Sequence, residues 1–366
     1  MRNNDVCLEE TAMNYIVTVF SILLSLCQIF SPVWAKLFHG EDYYFENWSA
    51  EQAYTEDYAQ TVEKDPDKDF VILSLTDIQL EKWQAYSDEG KRTWKIIDEL
   101  VTETEPDLIV LPGDNAWAQS TYQETVKRID SYGIPWAPVM GNHDGAGFFN
   151  EFCCAYSLLK PKNCLFKFGP QDMGYGNYII NITENGEIIH SLFMMDTHSD
   201  LRDGANINGE KGGGYDHLWE NQIEWYKWAV NGISELAGRT VESTVIFHIP
   251  VVEYKDAWAA AYDEEKGEYR EEYKDTSFGV NHEAPCPAPQ NNGFFTVCKE
   301  LGSTKNIICG HDHVNCSSIL YDGIRLTYSL KCGSGGYWEE DMSGGTVETI
   351  SSDGTASVQH IYSNVN

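Results

Sequence analysis

The chain has 366 residues, 42% hydrophobic and 13% aromatic, enough for one large α/β domain or two small ones. Acidic residues outnumber basic ones 57 to 25, for a formal net charge of −32. A surface that negative repels polyanions, which excludes nucleic-acid binding through a basic patch and suits a chain that gathers divalent cations.

The first predicted element is "MNYIVTVFSILLSLCQIFSPVWA", residues 13–35. Its apolar run from Tyr15 to Leu26 has signal-peptide length, and Val33-Trp34-Ala35 resembles a cleavage site. Residues 1–35 are therefore read as a signal peptide, with export or cell-surface display as the expected location. An uncleaved membrane anchor, giving a lumenal or membrane-anchored protein, is the alternative, because Asp5, Glu9 and Glu10 stand where a positive region is expected. A buried core helix is the third reading. Cleavage removes Cys7 and Cys27 and leaves Cys153, Cys154, Cys164, Cys286, Cys298, Cys309, Cys316 and Cys332. An even set in an exported chain favours disulfides. Sequons at Asn47, Asn181 and Asn315 permit N-glycosylation, and the one at Asn315 is expected to stay bare because it adjoins a candidate ligand.

Residues 36–68 are polar and aromatic without a clear period, and read as an arm or linker. The domain, 69–366, opens with "DFVILSL", an apolar strand ending at Thr76-Asp77. The helix "KRTWKIIDELVTE", the strand "PDLIVLPGDN", the helix "TYQETVKRIDSY" and the strand "IPWAPVMGNHD" follow. Continuous apolar strands alternating with helices predict a parallel sheet buried on both faces. "NYIINIT" and "EIIHSLFMMDTHS" then flank Asn185-Gly186, a hairpin signal. "HLWENQIEWYKWAVNGISEL" is an amphipathic helix whose stripe of Trp219, Ile223, Tyr226, Val230 and Ile233 faces the core. After the strand "STVIFHIP", residues 253–291 read as an insertion or lid. "KNIICGHDH" is another strand, and "SSILYDGIRLTYSLK" and "TVETISSDGTASVQHIY" close the chain as antiparallel strands.

Each strand of the parallel series ends in a potential ligand: Asp77, then Asp114, then Asn142 with His143, then His248, then His311 with His313. In open α/β sheets, sites form outside the carboxyl ends of the strands. Oxygen and imidazole donors in this mix fit two borderline-hard metals better than one structural zinc. Two cations about 3.5–4 Å apart need a bridging anion, for which Asp114 is placed. A water shared between them would ionise near neutral pH and attack an electrophile in line. His143 can contact a phosphoryl oxygen or protonate the leaving group.

Asp77-x-Gln79, Gly113-Asp114-Asn115, Gly141-Asn142-His143-Asp144, His248 in "FHIP" and Gly310-His311-Asp312-His313 resemble the ordered motifs of calcineurin-like metallophosphoesterases. "IPWAPVMGNHD", "NNGFF" and "GHDHVN" resemble the single-domain purple-acid-phosphatase-like members, and the resemblance runs from about residue 69 to 340. It implies a four-layer α/β/β/α sandwich of two mixed sheets, with a dinuclear metal site at the C-terminal strand ends. Carried over by motif, Asp77, Asp114 and His313 hold one metal, with Gln79 beside them. Asp114, Asn142, His248 and His311 hold the other. The implied cofactors are two divalent or mixed-valence ions of iron, zinc or manganese, and the partner is a phosphate-ester substrate, a phosphomonoester first. A phosphodiesterase acting on nucleotides or lipid head groups, and a non-catalytic metal-binding protein of the same fold, stay open.

Two positions depart from the family pattern. Gln79 stands where a histidine is usual, and an amide oxygen ligates more weakly than imidazole. Trp117 stands where the purple enzymes carry tyrosine, so no tyrosinate–iron(III) colour is expected. Asp144 is expected to orient His143, and Asp312 is assigned no metal. His198 is read as part of a capped turn, His282 as loop surface, and Tyr254, Trp258 and Tyr262 as packing.

Overall fold

Strands that read as uninterrupted apolar runs are buried on both faces: all five residues of Leu108–Pro112 lie inside. The computed structural model describes residues 30–365 except 82–86, 118, 146–149 and 202–213. Most of the predicted leader, with Cys7 and Cys27, lies outside the described residues. The chain divides after Tyr44 into two compact units. In the first, residues 30–39 are helical and Asp42–Tyr44 form a 3-10 turn. Among the described residues, no helix is long and apolar enough to cross a membrane.

The second unit carries two large mixed sheets. One has five strands in the order β14 (Ala356–Tyr362), β13 (Gly344–Ile350), β2 (Phe70–Ser74), β3 (Leu108–Pro112) and β4 (Trp136–Val139). Here β2, β3 and β4 run parallel, and β13 pairs antiparallel to β2 with Ile350 opposite Phe70. The other has seven, ordered β1 (Gln60–Glu63), β5 (Tyr178–Glu184), β6 (Glu187–Met194), β7 (Glu242–Ile246), β10 (Thr304–Cys309), β12 (Ile324–Tyr328) and β11 (Ser318–Tyr321). The small hairpin of β8 (Tyr262–Asp263) and β9 (Glu268–Tyr269) stands apart.

The two sheets face each other. Glu348 on β13 accepts hydrogen bonds from Thr244 on β7 at 2.5 Å and Asn306 on β10 at 2.8 Å. The helix Asp88–Thr104 covers β2 and β13, begun by Ser87, whose side chain accepts from the Gly90 amide. On the opposite side, the helix Glu220–Ala237 covers β6 and packs on the helix Phe294–Leu301. Four of the five predicted stripe residues, Ile223, Tyr226, Val230 and Ile233, sit in one buried cluster with Phe193, Phe247 and Phe294, whereas Trp219 is the half-buried N-cap residue stacked on His198. Each such side chain contributes about 1.5–3 kcal/mol by leaving water. The four-layer α/β/β/α arrangement expected from the motifs is the one observed.

Several expectations change. Within the presumed arm, Gln60–Glu63 pairs parallel to β5 as an edge strand. Pairing created that strand, since its own sequence has little apolar period. The insertion holds a helix, Glu253–Ala261, whose Tyr254 hydroxyl donates to the carbonyls of Ile307 and Thr327 in the core. Among the described residues, no disulfide joins any of the eight cysteines from Cys153 to Cys332. Cys298 and Cys309 are instead built into the main apolar cluster. Two sequons are closed by folding, Asn181 and Asn315 being each 2% exposed, while Asn47 is exposed.

Candidate metal centre

The five-stranded sheet delivers oxygen donors and the seven-stranded sheet delivers imidazoles. Asp77 follows β2, Asp114 follows β3 and Asn142 follows β4, whereas His248 follows β7 and His311 and His313 follow β10. Turning each side chain inward requires unusual backbone: Asp77, Gln79, Asp114 and His311 have φ of 53°, 48°, 50° and 80°. Left-handed conformations cost non-glycine residues roughly 1–2 kcal/mol apiece, so their clustering marks a place where the fold enforces geometry. Glycines clear the space. A Cβ on Gly113 would lie 2.5 Å from the His248 ring, and one on Gly141 would lie 2.1 Å from the Asp114 amide nitrogen.

One group of donors forms around Asn142. Its Oδ1 lies 3.1 Å from both His248 Nε2 and His311 Nδ1, and His248 Nε2 is 3.4 Å from Asp114 Oδ1. The other forms around Asp77, whose Oδ1 is 3.5 Å from His313 Nε2. Its Oδ2 accepts from Thr76 Oγ1 at 2.8 Å and from the His311 amide at 3.1 Å. Asp77, Asp114 and His248 each place a donor atom within 4.8 Å of the others, all buried. Cys286, His311 and Asp312 form a second such grouping, in which Asp312 accepts from the Cys286 amide at 3.0 Å.

The donor chemistry fits cations. Asp77 Oδ1 is buried without a hydrogen-bond partner, an arrangement that costs free energy until something positive faces it. His248 Nδ1 is 2.8 Å from the Pro112 carbonyl and His313 Nδ1 is 3.0 Å from the Tyr337 carbonyl. Those carbonyls accept from Nδ1, which turns each Nε2 inward. Burial lowers His248, but Asp114 outweighs it and pushes the ring up to about 9, so a cation binding at its Nε2 would displace a proton. Burial pushes His311 down to about 3 and His313 down to about 4, so both rings are neutral and available as donors. Burial opposes ionisation of Asp114 too, but the facing His248 and His143 outweigh it and hold the carboxyl well below its usual range.

His143 sits at the rim with its side chain 28% exposed, Nε2 3.9 Å from Asp114 Oδ2, and its ring tilted on Trp117 at 4.3 Å between centroids. Its amide donates to Asp114 Oδ1 at 2.9 Å. Asp144 departs from expectation. It accepts from the amides of Gly141, Asn115 and Ala116 and from Asn115 Nδ2, so it ties two ligand-bearing loops together instead of orienting His143. Burial and the Asp114 charge push its carboxyl up to about 7, against those donors.

Gln79 also departs from expectation. Its Nε2 donates to Asp114 Oδ2 at 2.7 Å, and its Oε1 accepts from Lys331 at 3.0 Å. Lys331 is a buried residue that sequence reasoning missed; the Gly-rich "KCGSGG" that it opens, just past β12, was the available signal. Tyr215 meets His311 edge-on and Tyr337 stacks on His313, each at 4.3 Å. His198 bonds Gln222 at 2.9 Å and stacks on Trp219, and His282 pairs with Glu339 at the surface.

A family model described as calcineurin-like phosphoesterase matches residues 70–315. Probable inactive purple acid phosphatase 14 of Arabidopsis thaliana is 29% identical over 269 residues, covering 67% of this chain and 63% of its own length. Phosphatase DCR2 of Saccharomyces cerevisiae is 28% identical over 307 residues, covering 76% of this chain and 50% of its own. The chain thus spans between 50% and 63% of the length of these two relatives. A dimetal phosphatase from Danio rerio superposes with a TM-score of 0.47 at 12% identity, covering 80% of this chain and 99% of that one.

Proposed function

The chain belongs to the calcineurin-like phosphoesterase family, and we propose that it hydrolyses phosphomonoesters at a two-metal centre. The observation that carries the reading is the buried convergence of Asp77, Asp114 and His248, with Asp77 Oδ1 left unpartnered. Asp77, Asp114 and His313 would hold one cation, and Asp114, Asn142, His248 and His311 the other. Cations of the iron, zinc or manganese class supply Lewis acidity there, acidifying water and neutralising phosphoryl oxygens. Asp114 is the shared residue, with Oδ1 toward His248 and the His143 amide and Oδ2 toward Gln79. His143, partly open to solvent beside Asp114, is placed to bind a phosphoryl oxygen or hand a proton to the leaving oxygen. The N-terminal apolar run is part of the same proposal, as a leader that exports the enzyme. N-terminal sequencing of the mature protein checks it.

A second reading is a non-catalytic metal-binding protein: three Arabidopsis thaliana relatives carry the words probable inactive in their names, and Gln79 stands where the family motif has a histidine. Turnover of p-nitrophenyl phosphate and bis-p-nitrophenyl phosphate, after chelation and with Mn, Zn, Mg or Fe restored, separates the cases. Metal-restored monoester turnover is the expected result. Preference for the diester would move the assignment to a phosphodiesterase, and silence under every metal would remove the enzymatic reading.

A further inference from the structure

The segment after β12 is fitted flush against the turn that bears Asp77 and Gln79. Lys331 pairs with Thr76 in a parallel bridge, and the Cys332 amide donates to the Thr76 carbonyl at 3.2 Å. A Cβ on Gly333 would lie 2.1 Å from the Asp77 carbonyl oxygen, and one on Gly335 would lie 1.9 Å from that of Gln79. Backbone pairing therefore sets where Lys331 points. Its ammonium, in a residue 3% exposed, donates to the Asp77 carbonyl at 2.8 Å and to Gln79 Oε1 at 3.0 Å.

Those contacts decide which way the Gln79 amide faces. An ammonium has only hydrogens to offer, so the face toward Lys331 is oxygen. A carboxylate has only lone pairs, so the face toward Asp114 is NH2. The one atom of Gln79 that can ligate is thereby engaged, and the atom turned toward the donor cluster is a hydrogen-bond donor. Both contacts are charge-assisted, so neither yields easily.

We propose that Lys331 is built into the metal centre to hold Gln79 as a positioning residue for Asp114 and to keep it from acting as a ligand. The inference rests on the two-metal reading and sharpens it. One cation position then has three protein donors, Asp77, Asp114 and His313, with Gln79 held away by Lys331. The other has four, Asp114, Asn142, His248 and His311. Fewer donors make the first position the weaker, so the two fill in sequence, and the weaker one keeps a coordination place open.

The test is cation binding by the full chain, independent of turnover. Metal-stripped protein is titrated with Mn2+ by calorimetry, and stoichiometry is checked by elemental analysis. Wild type is expected to bind in two steps separated by about tenfold or more, and Lys331→Met to tighten the weaker step by about tenfold while moving the stronger one less than about threefold. Two equal steps in wild type, or a weaker step unchanged in Lys331→Met, would overturn the role of Lys331 and leave the two-metal reading standing. A wild-type chain that binds no cation would overturn both. Should Lys331→Met fail to fold, Gln79→His on the native background carries the test. With Lys331 in place, the new imidazole accepts from the ammonium and the weaker step shifts by less than about threefold. A tenfold tightening would show that position 79 is free to ligate, against the proposal.

Discussion

Asn115 gives two hydrogen bonds to one oxygen of Asp144, through its backbone amide at 3.1 Å and its side-chain Nδ2 at 2.7 Å. Ala116 and Gly141 donate to the same carboxylate. The loops carrying Asp114 and Asn142 are thus held by a group that touches neither. Asp144→Asn turns an NH2 toward backbone donors and is expected to lower stability by about 1–3 kcal/mol in denaturant unfolding. The same variant should weaken cation binding although it removes no ligand. A variant with native stability and native cation affinity would show that the clasp is dispensable.

Gly113 and Gly133 make a matched pair for testing the crowding around His248. Both have left-handed backbone, with φ of 92° and 73°, but a Cβ at 113 meets the His248 ring whereas one at 133 meets nothing within 4 Å. Gly133→Ala should cost about 1 kcal/mol from backbone strain alone. Gly113→Ala should cost more and should also abolish cation uptake by displacing His248. Equal melting temperatures and equal metal content in the two variants would refute the packing argument.

Glu348 gives the sandwich a pH dependence of its own. Burial pushes its carboxyl up from 4.5 to about 7, against the bonds from Thr244 and Asn306, and its Oε2 has no partner. The unfolded chain ionises this group above about pH 4.5, while the folded chain keeps the proton until about 7. Its contribution is therefore intact below pH 4.5 and lost as pH rises through 7. Glu348→Gln should leave stability at pH 5 little changed and raise it at pH 8, by roughly 2–3 kcal/mol. Nearby His190, pushed down to about 4 by burial, acts in the opposite sense and loses its contribution as pH falls from 6.5 through 4. Thermal unfolding of both proteins across this range checks the sign.

Cation binding should stabilise the fold by mass action, about 2.7 kcal/mol per site at a hundredfold excess over Kd. Melting with and without chelator reads this out directly. Asn142→Ala deletes the oxygen that faces His248 and His311, and should lose most of the increment from the tighter site. Retention of the full increment would remove Asn142 from the donor set.

How much of this was legible in the sequence follows from what makes each feature. Asp77, Asp114, Asn142, His248 and His311 could be found because buried strands are easily read, and each is followed by a polar residue, with glycine adjoining Asp114, Asn142 and His311. That those strands split between two sheets was not in the local pattern, and came with the motif order. Lys331 escaped because a lysine after an apolar strand reads as solvated; only the pairing of residue 331 with Thr76 takes it inside. Asp144 was assigned to its neighbour His143 by adjacency, whereas the turn aims it back at the loop around residue 115. The disulfide expectation rested on parity of count, which carries no geometry.

The division of donors between sheets has a consequence for metal selection during folding. The imidazoles assigned to cations, His248, His311 and His313, belong to one half of the sandwich, with Asp312 and Cys286 beside His311, and Asp77, Asp114 and Asn142 belong to the other. An intermediate with only the seven-stranded half assembled offers imidazoles with the Cys286 thiol and the Asp312 carboxylate, a softer set that by the Irving–Williams order favours copper. Only apposition of the two halves adds the oxygens of Asp77, Asp114 and Asn142. Mismetallation is therefore a hazard of the unfinished fold, and the closed sandwich acts as its own proofreader of the ion it keeps.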